Sequence, residues 1–245
     1  MKKLLSIALC ATAVSAFADP AEAVLGQVGV TEINSGLSNT VVAVSYADLS
    51  TGGELAISNL VKTTNLTAGD QLAAFSNGKY EVWTLVQLVK DVGPKFWQKS
   101  ATKYFVDDKG LLTSETGTEA SLVTQAVGTG IWLVRKDPSK PFYIYGKPST
   151  TTTFKTLANT LMLVGNPRQE TSVQILAGTV TNPTQFDQIV TVDANGKLCY
   201  YTYLDSKVGW CTTDSNGDWE MDKHPTIPAG CGCWIRTQKE ATINW

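Results

Sequence analysis

Three phrases occur twice and in the same order along this 245-residue chain, which limits its fold more than any other feature. "SNTVVAVS" (38–45) is matched by "ANTLMLVG" (158–165), and "GDQLAAFSNGKYEVWTL" (69–85) by "FDQIVTVDANGKLCYYTY" (186–203). "VGTGIWLVR" (127–135) is matched by "AGCGCWIR" (229–236). The offsets are 120 for Asn39/Asn159, 117 for Asp70/Asp187, 118 for Asn77/Asn195 and 102 for Trp132/Trp234. The first copy is therefore sixteen residues longer between its NGK turn and its tryptophan strand. Ordered phrases at a fixed period are the mark of a duplicated structural unit.

Each phrase reads as strand or hairpin. Val41, Val42 and Val44, like Leu161 to Val164, form short continuous apolar runs suited to buried strands. Asn77-Gly78 and Asn195-Gly196 are dipeptides of a tight hairpin in which both residues take positive φ. "GTG" and "GCG" lead into strands that lack side chains at alternate positions, where another backbone or a ring packs closely. The threonine-rich part of 146–157 opens the second copy, and 108–127 reads as either an extra hairpin or a short helix. The expected fold is all-β, with two tandem antiparallel units, each a β-sandwich or a small β-barrel. Their bounds are 29–147 and 148–245, after a signal peptide (1–18) and an N-terminal lead (19–28).

The signal is read from Lys2 and Lys3, the apolar run Leu4 to Val14, and the small-x-small pattern Ala16-Phe17-Ala18. No later apolar run has the length of a membrane-spanning helix. Terminal Trp245 raises an outer-membrane barrel, but such strands need about ten residues of sustained alternation, which Gly, Pro and Asn interrupt here. Without Lys2 and Lys3 the balance is 18 basic against 22 acidic residues, a weakly acidic surface that repels phosphate backbones and opposes nucleic acid as a partner.

The order "GD-x-[LI] … NGK-x-x-x-[YW] … W … [LI]-P-x-G-x-G-x-W-[LIV]" resembles a family of uncharacterised exported bacterial proteins built from tandem β units. Asp70, Asn77, Gly78, Lys79, Trp83, Trp97, Gly128, Gly130 and Trp132 carry it in the first copy. Asp187, Asn195, Gly196, Lys197, Tyr201, Trp210, Pro228, Gly230, Gly232 and Trp234 carry it in the second, while Ala126 departs from the proline of the pattern. The resemblance implies the fold and a secreted, periplasmic or cell-surface location in a bacterium. It brings no activity.

Cysteines mark only the second copy. Cys199, Cys211, Cys231 and Cys233 align with Glu81, Gln98, Thr129 and Ile131. In an oxidising compartment four cysteines are expected to form two disulfides. Residues two apart on a strand stand too far apart to bond to each other, so Cys231 and Cys233 are expected to reach Cys199 and Cys211 in either order. A four-thiolate metal site is the competitor, but the spacing lacks C-x2-C knuckles, and no metal or cofactor is expected.

No catalytic set emerges. His224 is the single histidine and precedes a proline in a loop; no serine sits in G-x-S-x-G, and neither H-E-x-x-H nor a phosphate loop is present. Asp70 and Asp187 could act as paired carboxylates, but repeat equivalence favours a turn role in both units. "DSNGDWEMD" (214–222) places its glycine wrongly for a calcium loop and reads as a solvated hairpin. Trp132 and Trp234 read as core. The aromatic candidates for a ligand platform are Trp83, Trp97, Tyr201, Tyr203, Trp210 and Trp219, set against the reading that they pack inside. The expected function is a non-catalytic binding module of the cell surface or secretome, with a glycan as ligand. The alternative is a structural subunit of an extracellular coat, fibre or adhesive stalk, self-associating through β edges.

Overall fold

The computed structural model describes residues 29–33, 36–47, 54–56, 65–76, 78–89, 92–99, 104–106, 112–114, 124–150, 152–168, 171–176 and 178–245. The expected signal peptide and lead, Asn77 and most of 108–127 lie outside the described residues. The first unit contains β1 (Gly29–Ile33), β2 (Asn39–Ala43), β3 (Tyr46–Ala47), β4 (Leu55–Ala56), β5 (Gln71–Ser76), β6 (Lys79–Val89), β7 (Val92–Lys99), β8 (Tyr104–Val106), β9 (Leu112–Ser114), β10 (Thr124–Gln125), β11 (Gly130–Val134) and β12 (Phe142–Pro148). The second contains β13 (Thr153–Thr156), β14 (Leu161–Gly165), β15 (Val173–Gln174), β16 (Gln188–Val192), β17 (Leu198–Tyr203), β18 (Trp210–Thr213), β19 (Trp219–Glu220), β20 (Thr226–Ile227), β21 (Gly232–Arg236) and β22 (Ala241–Asn244). Among the described residues the protein is all-β, every strand pairing is antiparallel, and no sheet closes into a barrel. The described strands within 108–127 are β9, which pairs with β8, and the two-residue β10, which pairs with β4.

Each unit is built on one larger sheet, ordered β2-β11-β5-β6-β7 in the first and β14-β21-β16-β17-β18-β19 in the second. The registers correspond strand for strand. Trp132 stands opposite Val41 and Ala73, and Trp234 opposite Leu163 and Val190. Trp97 faces Leu85 as Trp210 faces Tyr203. One anchor moves. Pairing makes Val41 the counterpart of Leu163, an offset of 122 rather than the 120 suggested by Asn39/Asn159. A slip of two residues keeps every side chain on its face, so the apolar pattern tolerates both alignments. Asn159, at φ 56, belongs to the turn that precedes β14.

One face of each sheet is covered by a smaller layer: β1-β12-β3 in the first unit, β13-β22 in the second. Alternation decides what enters the two cores. Val42, Leu72, Trp83, Leu85, Trp97, Ile131 and Leu133 point inward to meet Phe142 and Ile144 of β12. Val164, Ile189, Tyr203, Trp210, Cys233 and Ile235 do the same against Ala241 and Ile243 of β22. Trp245 is buried in the second core, and its backbone N–H donates to the Thr152 carbonyl at 2.6 Å.

The opposite faces of the two sheets meet each other about a pseudo-two-fold axis. The Ala43 N–H donates to the Gly230 carbonyl at 2.9 Å, and its counterpart, the Gly165 N–H, donates to the Gly128 carbonyl at 2.8 Å. Val42 bridges to Cys231 of the other unit, as Val164 bridges to Thr129. Gly130, duplicated as Gly232, and Gly165, whose counterpart is Ala43, make room for this approach. A Cβ on Gly130 would stand 2.8 Å from the Val164 carbonyl oxygen, and one on Gly165 would stand 2.5 Å from the Ala43 Cα and from the Thr129 oxygen. The continuous apolar runs of β2 and β14 follow from the same layout: Val42 and Val164 face their own cores, while Val41 and Leu163 are buried on the sheet faces that carry Trp132 and Trp234. Those two tryptophans are not core residues, contrary to expectation. Their rings meet edge to face across the axis, 5.8 Å between centroids, and Trp132 keeps 37 % of its surface exposed.

Candidate functional site

The hairpin turns show how local sequence sets the frame. In "DANGK" the Asp193 Oδ1 accepts the N–H groups of Asn195 and Lys197 at 2.8 and 2.9 Å. In "DSNGD" the Asp214 Oδ1 accepts those of Asn216 and Asp218 at 2.8 and 2.9 Å. Gly196 and Gly217 take φ of 78° and 90°, whereas Asn195 and Asn216 stay at negative φ. These are three-residue loops with glycine in the left-handed position, whereas in the first unit Ser76 pairs with Lys79, the two-residue spacing expected of the dipeptide. The Asp214 carboxyl is held below its usual range by the N–H groups of Asp218 and Asn216.

Asp70 and Asp187 are buried structural clamps. Asp70 accepts the Thr67 N–H on Oδ2 at 2.9 Å and the Lys136 N–H on Oδ1 at 2.8 Å. Asp187 accepts the Thr184 and Gln238 N–H groups in the same way, both at 2.8 Å. Each carboxylate ties the entry of its third sheet strand to the exit of the tryptophan strand. The residue before each clamp is left-handed: Gly69 at φ 94°, but Phe186 at φ 72° in the second unit. His224 Nδ1–H donates to the Trp210 carbonyl at 2.7 Å, which fixes its loop against β18.

The expected disulfides are overturned by register. All four thiols are free. The strand that carries Cys233 is flanked by β14 and β16, and neither contains a cysteine. Thr191 pairs with Cys199, and continuing the β16–β21 register sets Cys233 on its other side. Cys199 and Cys233 therefore lie two strand spacings apart, about 10 Å, where a disulfide needs Cα atoms about 4.4–6.8 Å apart. Cys211 stands opposite Thr202, on the face away from Cys199, and three strands from Cys233. Burial pushes the Cys233 thiol up to about 12 and that of Cys231 to about 11. Cys233 occupies the core place of Ile131 and acts as a small apolar side chain. The Cys199 place in the first unit is held by Glu81, bonded to Lys99 Nζ at 2.8 Å. Among the described residues no three His, Cys, Asp or Glu side chains gather to hold a metal ion.

The aromatic platform lies elsewhere than the sequence suggested. Trp83, Trp97, Tyr203 and Trp210 are buried, and Tyr201 is half-buried against the second core. Of the six candidates only Trp219 is exposed, at the far edge of the sheet on β19. On the other face of β17, Tyr200 is 62 % exposed. Together with Trp132, Trp234, Asn39, Leu161, Val190, Val192, Gly196 and Leu198 it lines a groove of about 320 Å³ beside the pseudo-two-fold axis. Cys199 shares the inner face of β17 with Tyr203, but buried Cys211 lies on the Tyr200 side, so the thiols do not tell the two faces apart.

The geometry defines an all-β protein of two tandem antiparallel units joined back to back. No family model, curated protein or solved structure matches the chain. Among the described residues no helix is long and apolar enough to cross a membrane.

Proposed function

We propose that the protein is an exported, non-catalytic binding module and that the Tyr200 groove holds its ligand, a glycan. The observation that carries the reading is the convergence of Trp132, Trp234 and Tyr200 around one open groove between the units. Such rings lay apolar faces against the CH faces of a sugar. The non-catalytic part is supported by the carboxylates weighed as a catalytic pair, Asp70 and Asp187, which are committed to backbone partners, as is His224. The alternative of a self-associating fibre subunit has less support: the threonine-rich strand is paired with β22 along Thr153 to Thr156.

A glycan array followed by titration with the best oligosaccharide tests the proposal. Tyr200→Ala is expected to weaken binding about tenfold, or about 1.4 kcal/mol. Trp219→Ala, remote from the groove, is expected to leave affinity unchanged. Absence of binding to every glycan, or a loss with Trp219→Ala alone, would refute it.

A further inference from the structure

We infer that the groove is the open twin of a socket that the first unit fills with its own side chains, and that its ligand is a pyranose ring donating a hydroxyl to the Asn39 carbonyl. This assignment rests on the glycan reading and names how that ligand is held. The filled socket lies on the other side of the axis. Tyr80 Oη–H donates to the Leu161 carbonyl at 2.7 Å, and the Tyr80 ring meets Phe75 edge to face at 5.2 Å between centroids. Burial there pushes the Tyr80 phenol up to about 12.

Strand pairing supplies the counterparts. Leu161 corresponds to Asn39, Phe75 to Val192, Tyr80 to Leu198, and Val82 to Tyr200. All four members of the open side line the groove: Asn39, Val192, Leu198 and Tyr200. Of the filled side Leu161 also reaches it, whereas Phe75, Tyr80 and Val82 do not. The Arg135 N–H donates to the Ser38 carbonyl and the Val44 N–H to the Thr129 carbonyl, so alternation along β2 turns the Asn39 peptide away from β11. Its carbonyl is the equivalent of the Leu161 carbonyl that Tyr80 caps. Leu198, in the place of Tyr80, has no hydroxyl to give.

The same exchanges set the chemistry of the ligand. Where the filled side has Leu161 and Val82, the open side has the amide of Asn39 and the phenol of Tyr200. One hydroxyl satisfies the filled socket. The open one offers a carbonyl, an amide and a phenol around two indole rings, which matches a ring with apolar CH faces and several hydroxyls. A tyrosine side chain from another polypeptide would use the carbonyl and leave the two added groups unmatched.

Calorimetric titration of the full chain with soluble β-1,4-linked glucose and N-acetylglucosamine hexasaccharides, and with p-cresol as a tyrosine mimic, tests this. The double variant Val192→Phe with Leu198→Tyr copies the filled side into the open one. It is expected to lose saccharide binding at least tenfold while melting no lower than the parent. Tyr200→Val, a single exchange that installs the filled-side residue, is expected to weaken binding about tenfold and serves if the double variant does not fold. Undiminished saccharide binding by the folded variants overturns the groove assignment and leaves the glycan reading intact at another surface. Binding of p-cresol but of no saccharide overturns both, and assigns the groove to an aromatic side chain of a partner polypeptide.

Discussion

On one side of the pseudo-two-fold axis Phe75 and Tyr80 close over the end of β14; on the other, Val192 and Leu198 stand back from the end of β2 and leave a groove. Backbone contacts across the axis are nevertheless the same on both sides, down to the Ala43–Gly230 and Gly165–Gly128 hydrogen bonds. The difference teaches where duplicated units are free to diverge. Where main chains approach, Gly130 and Gly232 stay matched and Gly165 stands bare against its counterpart Ala43, whereas side chains a few ångströms away are free to exchange bulk for polarity.

The comparison breaks most severely at the glycines. Gly165→Ala forces a Cβ against the Ala43 backbone and the Thr129 oxygen, and is expected to destabilise by about 3 kcal/mol. Gly178→Ala meets nothing within 4 Å and should stay within about 0.5 kcal/mol; denaturant unfolding of the two variants makes the check. The clamps come next. Asp70→Ala and Asp187→Ala each release two backbone N–H groups, and each is expected to cost about 2 kcal/mol. Costs that differ by more than about 1 kcal/mol between the pair would show that the units do not use their clamps alike.

The smallest effect concerns Cys233 against Ile131. Burial raises the folded thiol from 9.0 to about 12, so above pH 9 the unfolded chain releases a proton that the folded chain keeps. Stability should therefore be full below pH 9 and fall as pH rises toward 12, by about 1 kcal/mol between pH 8.5 and 10. Cys231, held up to about 11, adds to the fall in the same window. Cys233→Val is expected to remove about half of that slope in unfolding measured across the range, with the Cys231 share remaining.

Most of the fold was legible because alternation and turn residues act locally. The strands around Trp132 and Trp234, the hairpins at Gly78 and Gly196, and the matching of Cys199 with Glu81 and Cys211 with Gln98 all follow from patterns a few residues long. Which strands lie side by side is not local. The disulfide expectation failed there, since β21 inserts between β14 and β16, far from the strands that carry Cys199 and Cys211. The site failed for a related reason. Period-two alternation sorts Tyr200 from Tyr201 but does not say which face is inner, and the thiols do not decide it, since buried Cys211 lies on the Tyr200 face. The outer tryptophans were misplaced because a face buried against a second unit looks, in sequence, like a core.

The exchange of hydrogen bonds between Ala43 and Gly230, and between Gly165 and Gly128, has a consequence for the history of the chain. Each unit completes the strand edge of the other, so losing either would strand an amide in the survivor and bare an apolar sheet face. Duplication of this kind runs one way. Each half needs the other to cover the face it presents at the seam.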